Sequence, residues 1–226
     1  MSALRLAHRG DWRVAPENSL EAMRAALAIP ACDGLEFDVR ASADGVAVVL
    51  HDDGLARVQG VDARATDLSA AELGAYGVPT LASAIELASG VDGRPEPFLD
   101  IELKSIVPQA LEVIDAARTE PGGSLRHAVV STFHPEVMAW LARERPAWRR
   151  WANVVDLEPR TVDAVRDLGC DGLSSAWRAL DARGLERAAA VGLEVAAWTV
   201  RRRDTFRRLE RLGVVAICAE AAALDG

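Results

Sequence analysis

Short apolar runs alternate with stretches of helical period along the whole chain. The first run, "LRLAHR", has the composition of a buried strand. A helix is predicted to open near Asn18, with Glu21 three residues on as in a capping box, and to run through "SLEAMRAALAI". "DGLEFDVR" is a second strand. The turn signal "ADG" then leaves too little chain for a parallel crossover, which needs about a dozen residues, so "VAVVL" is expected to return antiparallel as the arm of a hairpin. From Asp52 to Val78 the pattern weakens to a loop-like excursion holding one helical turn, "LSAAELGAY". Regular alternation resumes with a helix over "PTLASAIELAS". Strands at "PFLDIELK", "HAVVSTF", "WRRWANV", "CDGLSS", "LEVAAWTV" and "GVVAICA" follow, each separated from the next by a helical stretch.

With the return arm set aside, eight strands can run parallel, and no Pro/Gly-rich linker divides them. That pattern predicts an α/β fold, a single (β/α)8 TIM barrel over residues 1–226, with a β-hairpin arm and a short insertion at about 52–78 after the second strand. A doubly wound open sheet is the alternative. The G-x-G-x-x-G turn expected after its first strand is missing.

Strands of such a barrel are covered on both faces and should be almost continuously apolar, so polar residues near their C-terminal ends mark the active-site mouth. Here the first strand ends in His8-Arg9, the second carries Glu36 and Asp38 on one face, and the hairpin arm ends in His51-Asp52. "LDIELK" alternates strictly. Leu99, Ile101 and Leu103 suit the helix side, which turns Asp100, Glu102 and Lys104 into the barrel. Crowded carboxylates need either an ion network with Arg9 and Lys104 or a hard divalent cation, and the cation is the favoured reading. His8 and His51 end strands at this cluster and suit general acid–base chemistry, whereas His127 at a strand start and His134 at a helix start fit ordinary structural positions. A cation, two basic donors and two histidines describe phosphoryl transfer better than acyl transfer. No G-x-S-x-G elbow is present.

Composition narrows the choice of partners. A net charge of −8 argues against nucleic acid, which needs a basic face. The basic run "RRRDTFRRLER", Arg201 to Arg211, has helical spacing with Phe206 and Leu209 on one side and is expected to be a solvated helix face. Cys32, Cys170 and Cys218 show no metal or redox spacing and are expected to be reduced core residues. No apolar run approaches the ~18 residues of a membrane span, so stable membrane insertion is not expected. Met1 to Leu6 leaves no room for a signal peptide, which makes the cytoplasm the expected location.

In order along the chain, "AHRG", "PENS", "GLEFDVRASADGVAVVLHDD", "IELK", "VVSTF" and "AWTV" resemble the motifs of glycerophosphodiester phosphodiesterases, from Ala7 to about Val215. The resemblance implies a (β/α)8 barrel that hydrolyses a small-molecule glycerophosphodiester to sn-glycerol 3-phosphate and an alcohol. By motif, it implies Glu36, Asp38 and Glu102 as ligands of a divalent cation, Mg²⁺ or Ca²⁺, and His8 and His51 as the acid–base pair. Arg9 and Lys104 would hold phosphate oxygens, and Trp198 would line the pocket or simply pack. Three places depart from the pattern. "DGLARV" keeps Leu55 and Arg57 but has Gly54 and Val58 where threonines are usual, and the segment up to Pro79 is short. Arg201 stands where Asn commonly follows "WTV". Ala219 and Glu220 replace the Thr-Asp of a closing I-x-T-D-x-P motif. A shorter wall would leave an open site suited to a bulkier alcohol group, or depend on a partner to complete it. The competing functions are a lysophospholipase D-like activity on lipid substrates and a catalytically silent barrel that binds metal or phosphate.

Overall fold

The computed structural model describes residues 2–89, 96–119, 125 and 128–226; His127 lies outside them. In chain order the elements are β1 (Leu4–His8), α1 (Leu20–Leu27), β2 (Gly34–Ala41), β3 (Ala47–Val49), α2 (Ala56–Gln59), α3 (Ala70–Ala75), α4 (Leu81–Ser89) and β4 (Phe98–Leu103). There follow α5 (Pro108–Thr119), β5 (Val129–Thr132), α6 (Pro135–Glu144), β6 (Arg150–Val154), α7 (Pro159–Asp167) and β7 (Gly172–Ala176). The chain ends with α8 (Ala182–Ala190), β8 (Glu194–Val200), α9 (Arg203–Leu212) and β9 (Ala216–Ala219). β1 pairs in parallel with both β2 and β9, which closes eight parallel strands into a barrel. β3 lies outside that ring, antiparallel to β2 through Val39 and Val49, as the short "ADG" turn requires.

Strand alternation sorts the barrel interior into layers. At the N-terminal end Leu6, Phe98, Val129, Trp151, Ala196 and Ala216 form an apolar plug, in which the Phe98 and Trp151 rings stack at 5.7 Å. The Trp151 indole fits because β7 begins with Gly172, where a Cβ would lie 2.8 Å from the indole ring. Further along β2, β4, β5, β6 and β7 the inward positions turn polar, with Glu36, Asp100, Ser131, Asn153 and Ser174 all buried. Their apolar neighbours Leu35, Phe37, Leu99, Ile101 and Leu103 point outward into the main core beneath the helices. Polar groups therefore concentrate at the C-terminal mouth.

Two local expectations need correction. The N-cap of α1 is Ser19, whose hydroxyl accepts from Ala22 N at 3.1 Å, so Asn18 and Glu21 do not form a capping box. Asn18 stands one residue earlier at φ 59° and turns its side chain into the barrel mouth. A capping box does form at Ser69 and Glu72, at the start of α3. The excursion after Asp52 is also better built than its weak pattern suggests, because Val48, Leu50, Leu55, Ala65, Leu73 and Val78 form a small core of their own. Its apolar residues are too widely spaced for either helical or strand periodicity to reveal them.

Candidate active site

The "HRG" turn begins the site. β1 ends at His8, then Arg9 (φ 61°) and Gly10 (φ 82°) both take left-handed backbone conformations. A Cβ on Gly10 would lie 2.6 Å from the backbone carbon of Ala22, so the position needs glycine for both its conformation and its close approach to α1. Arg9 N donates to Glu36 O at 2.8 Å, and Asn18 N donates to Arg9 O at 2.9 Å. These bonds lock the "HRG" and "PENS" turns to each other and to β2.

Parallel register places the acidic residues side by side. His8 pairs with Glu36, Glu36 with Asp100, and Asp38 with Glu102. Glu36, Asp38 and Glu102 are buried and each offers a carboxylate oxygen within 4.8 Å of the others. Burial and then the charges of Asp38 and Glu102 push the Glu36 carboxyl well above the usual carboxylate range. Burial likewise raises Glu102, and raises Asp100 to about 7 despite a hydrogen bond from Ser131 Oγ at 2.6 Å. Asp38 behaves differently. Burial alone would raise it, but Lys104, Arg9 and His51 outweigh that and hold it at about 2. Lys104 Nζ lies 2.8 Å from Asp38 Oδ1 and also donates to Glu102, while Arg9 Nε lies 3.0 Å from Asp38 Oδ2. Part of the acidic charge is thus met by an ion network, and Glu36 is left outside it. Glu36 Oε2 is buried with no hydrogen-bond partner, 3.7 Å from His8 Nε2.

Each histidine is held at Nδ1 by a carboxylate that in turn meets an arginine. His8 Nδ1 lies 2.5 Å from Glu220 Oε1, and Arg201 Nε donates to Glu220 Oε2 at 2.6 Å. His51 Nδ1 lies 2.6 Å from Asp52 Oδ1, and Arg57 Nε donates to Asp52 Oδ2 at 2.6 Å. Arg57 also reaches Glu17, whose Oε1 accepts from Arg9 at 2.9 Å. Burial lowers the His51 imidazole despite the nearby Asp38 and Asp52.

A cavity of about 220 Å³ opens between these groups, lined by His8, Arg9, Glu36, His51, Glu102, Lys104 and Trp198 among others. Asp38, fully buried, lies behind this wall. All the residues picked from the sequence therefore meet at one mouth. Trp198 lines the cavity, its indole nitrogen donates to Ser174 O at 2.9 Å and its ring meets Phe133 edge-on at 5.5 Å. His134 stands apart, exposed at the start of α6 beside Glu136. The cysteines are unpaired and buried as expected. The basic run is a solvated face only in part, because its first residue, Arg201, engages the buried Glu220.

Sequence reasoning passed over Asn18, Phe133, Arg57 and Glu220 as parts of the site. Asn18 and Arg57 lie in "PENS" and "DGLARV", where the sequence signals only a helix start and a retained motif residue. For Glu220 the available signal was a carboxylate directly after the last strand of a barrel.

A family model for glycerophosphoryl diester phosphodiesterases matches residues 8–223. The chain belongs to this family. A glycerophosphodiester phosphodiesterase from Caldanaerobacter subterraneus is 31% identical over 46% of this chain and 46% of its own. Human glycerophosphodiester phosphodiesterase 1 is 28% identical over 59% of this chain and 43% of its own, so the likeness spans less than half of either relative. Among solved structures, an Oleispira antarctica phosphodiesterase in complex with the product sn-glycerol-3-phosphate superposes with a TM-score of 0.82 at 25% identity, over 96% of this chain and 93% of that one. Among the described residues, no helix is long and apolar enough to cross a membrane.

Proposed function

We propose that the chain hydrolyses glycerophosphodiesters to sn-glycerol 3-phosphate and an alcohol, using a divalent cation held by Glu36, Asp38 and Glu102. The observation that carries this reading is the convergence of three buried carboxylates, two carboxylate-supported histidines and two cationic side chains on one cavity. The donor set fits a hard cation of the Mg²⁺ or Ca²⁺ kind, because all three groups offer oxygen and Glu36 Oε2 is buried without a partner. The product-bound Oleispira phosphodiesterase supports the substrate class.

When bound, such a cation supplies Lewis-acid charge that offsets the negative charge growing on phosphoryl oxygens. Arg9 and Lys104, both on the cavity wall, are placed to hold the remaining phosphate oxygens. A carboxylate at Nδ1 of each imidazole directs Nε2 toward the cavity. One histidine takes the proton of the nucleophile, either water or the glycerol 2-hydroxyl, and the other returns a proton to the departing alkoxide; attack by the 2-hydroxyl would give a cyclic diester that water then opens. Trp198 and Phe133, packed edge-on, line the same cavity.

The test is release of glycerol 3-phosphate from a panel of glycerophosphodiesters, with and without EDTA, by wild type and His51→Ala. Metal-dependent release that the substitution abolishes is expected. A folded wild type that releases nothing from any diester with either metal would instead support a silent barrel.

A second reading rests on a separate observation. A more apolar cavity of about 330 Å³ shares Phe133 and Asn153 with the first and is lined beyond them by Met138, Ala164, Val165 and Leu168. It suits an alcohol group with an apolar part, as in a lysophospholipid. Faster turnover of acylated than of short-chain diesters would favour this reading, and the reverse order would exclude it.

A further inference from the structure

Glu220 occupies a place that the proposed chemistry does not yet explain. It follows β9 directly, it is only 5% exposed, and its backbone nitrogen donates to Val200 O at 2.8 Å, which ties it to the end of β8. The next residue, Ala221, takes φ 49°, a conformation that costs an L-residue roughly 1–2 kcal/mol, so the chain turns sharply just after the carboxylate is delivered. One oxygen of that carboxylate faces His8 Nδ1 at 2.5 Å and the other accepts from Arg201 Nε at 2.6 Å.

We propose that Glu220 is the positioning residue for His8 and that Arg201 anchors it, a pair acting together where the resembled motifs carry Asp and Asn. A carboxylate only accepts at this distance, so Nδ1 carries a proton and Nε2 is aimed into the cavity beside Glu36. Glu is one methylene longer than Asp, which gives its carboxylate an extra rotatable bond to be fixed. Arg201 supplies that restraint from the mouth of the barrel, its side chain largely in solvent while its Nε engages the buried oxygen. At His51 the supporting carboxylate is its neighbour in sequence, Asp52, which Arg57 holds in turn. The two departures from the family pattern are therefore one coupled change: the longer acid comes with the anchor it requires.

The inference rests on the phosphodiesterase reading, and its test separates the two. The four histidines of the chain allow the imidazole nitrogens of His8 to be assigned by ¹⁵N NMR against a His8→Gln control. At a pH high enough for the imidazole to be neutral, the wild-type His8 signals should show the Nδ1–H tautomer. Glu220→Gln should lose that signature and lower kcat by about 100-fold or more with KM within about 3-fold, since an amide in this role leaves the imidazole in the wrong tautomer. Glu220→Asp combined with Arg201→Asn should restore the signature and recover kcat to within about 10-fold of wild type. That double variant also serves if Glu220→Gln does not fold. Retention of the Nδ1–H tautomer and of kcat in a folded Glu220→Gln, or failure of the double variant to regain the signature, would overturn the proposal. A wild type that shows the tautomer but hydrolyses no diester would instead count against the phosphodiesterase reading alone.

Discussion

Asn18 donates from its amide nitrogen to Asp38 Oδ2 at 2.9 Å, and both residues are buried. The contact joins the "PENS" turn to β2 and fixes the orientation of a carboxylate in the acidic cluster. It also explains why Asn18 sits at φ 59°, since the left-handed turn is what swings the side chain inward rather than onto the helix end. Ser19 is thereby left to cap α1.

Removing the amide while keeping the backbone free to turn isolates this contact. Asn18→Gly should fold, because glycine tolerates the turn, but its affinity for Mg²⁺ or Ca²⁺ should fall about 10–100-fold, the usual loss when a ligand-orienting hydrogen bond is deleted. Calorimetric titration with each metal measures this. Unchanged affinity would mean that Asp38 is held by Lys104 and Arg9 alone.

Glu36 offers a test with opposite signs in two conditions. Burial, Asp38, Glu102 and Asp100 all raise it and outweigh the nearby Arg9. Glu36→Gln removes that repulsion, so in EDTA the variant should melt higher than wild type by a few degrees, where about 1 kcal/mol corresponds to ~2–4 °C in a protein of this size. Added divalent cation should raise the wild-type midpoint and leave the variant unmoved. A variant less stable than wild type in EDTA would show that Glu36 is structurally needed without metal.

The barrel could be read from the chain because each parallel strand is an apolar run and each crossover has helical period. The inward face of "LDIELK" could be read for the same reason, since a strict period of two leaves no choice of side once Leu99, Ile101 and Leu103 must meet helices. What could not be read were contacts between residues far apart in sequence whose partners carry no periodic signal. Glu220 and His8 are brought together only by closure of β9 onto β1, and the side chain of Asn18 looks the same in a cap as in a brace for a buried carboxylate. The small core around Leu55 and Leu73 was hidden because its residues come singly from short elements and the loops between them.

Arg57 should make the stability of the fold depend on acid. Its hydrogen bond holds Asp52 at about 2 against an ordinary value of 3.8, and Glu17 is lowered as well, its burial outweighed by Arg57 and Arg9. Both groups bind fewer protons folded than unfolded over this range. Their contribution is therefore fully present above the ordinary carboxylate values and is lost as pH falls from about 4 toward 2. Arg57→Ala should melt below wild type at neutral pH, and the gap between the two should narrow steadily below pH ~4. A gap independent of pH would assign the stabilisation by Arg57 to packing of its stem.

The last test concerns the turn that delivers His8 and Arg9. Gly10 and Gly45 have nearly the same backbone, φ 82° and 79°, but their surroundings differ. A Cβ at Gly45 would meet nothing within 4 Å, while at Gly10 it would lie 2.6 to 2.8 Å from the backbone of Ala22 and Met23. Gly45→Ala should therefore show only the conformational cost of a left-handed alanine, roughly 1–2 kcal/mol. Gly10→Ala carries that cost and also a clash with α1 that no side-chain motion can relieve, for a total of about 3 kcal/mol or more. Relief requires the "HRG" turn to move away from α1, which displaces His8 and Arg9 and stretches the bond from Arg9 N to Glu36 O. Chemical denaturation of the two variants gives the energies, and metal titration of each shows whether the site moved. Gly45→Ala should bind cation as wild type does, and Gly10→Ala should bind it more weakly even where it remains folded. Equal destabilisation in both variants would show that α1 yields to the added methyl group, and the glycine of the "HRG" turn would then be needed for its backbone conformation alone.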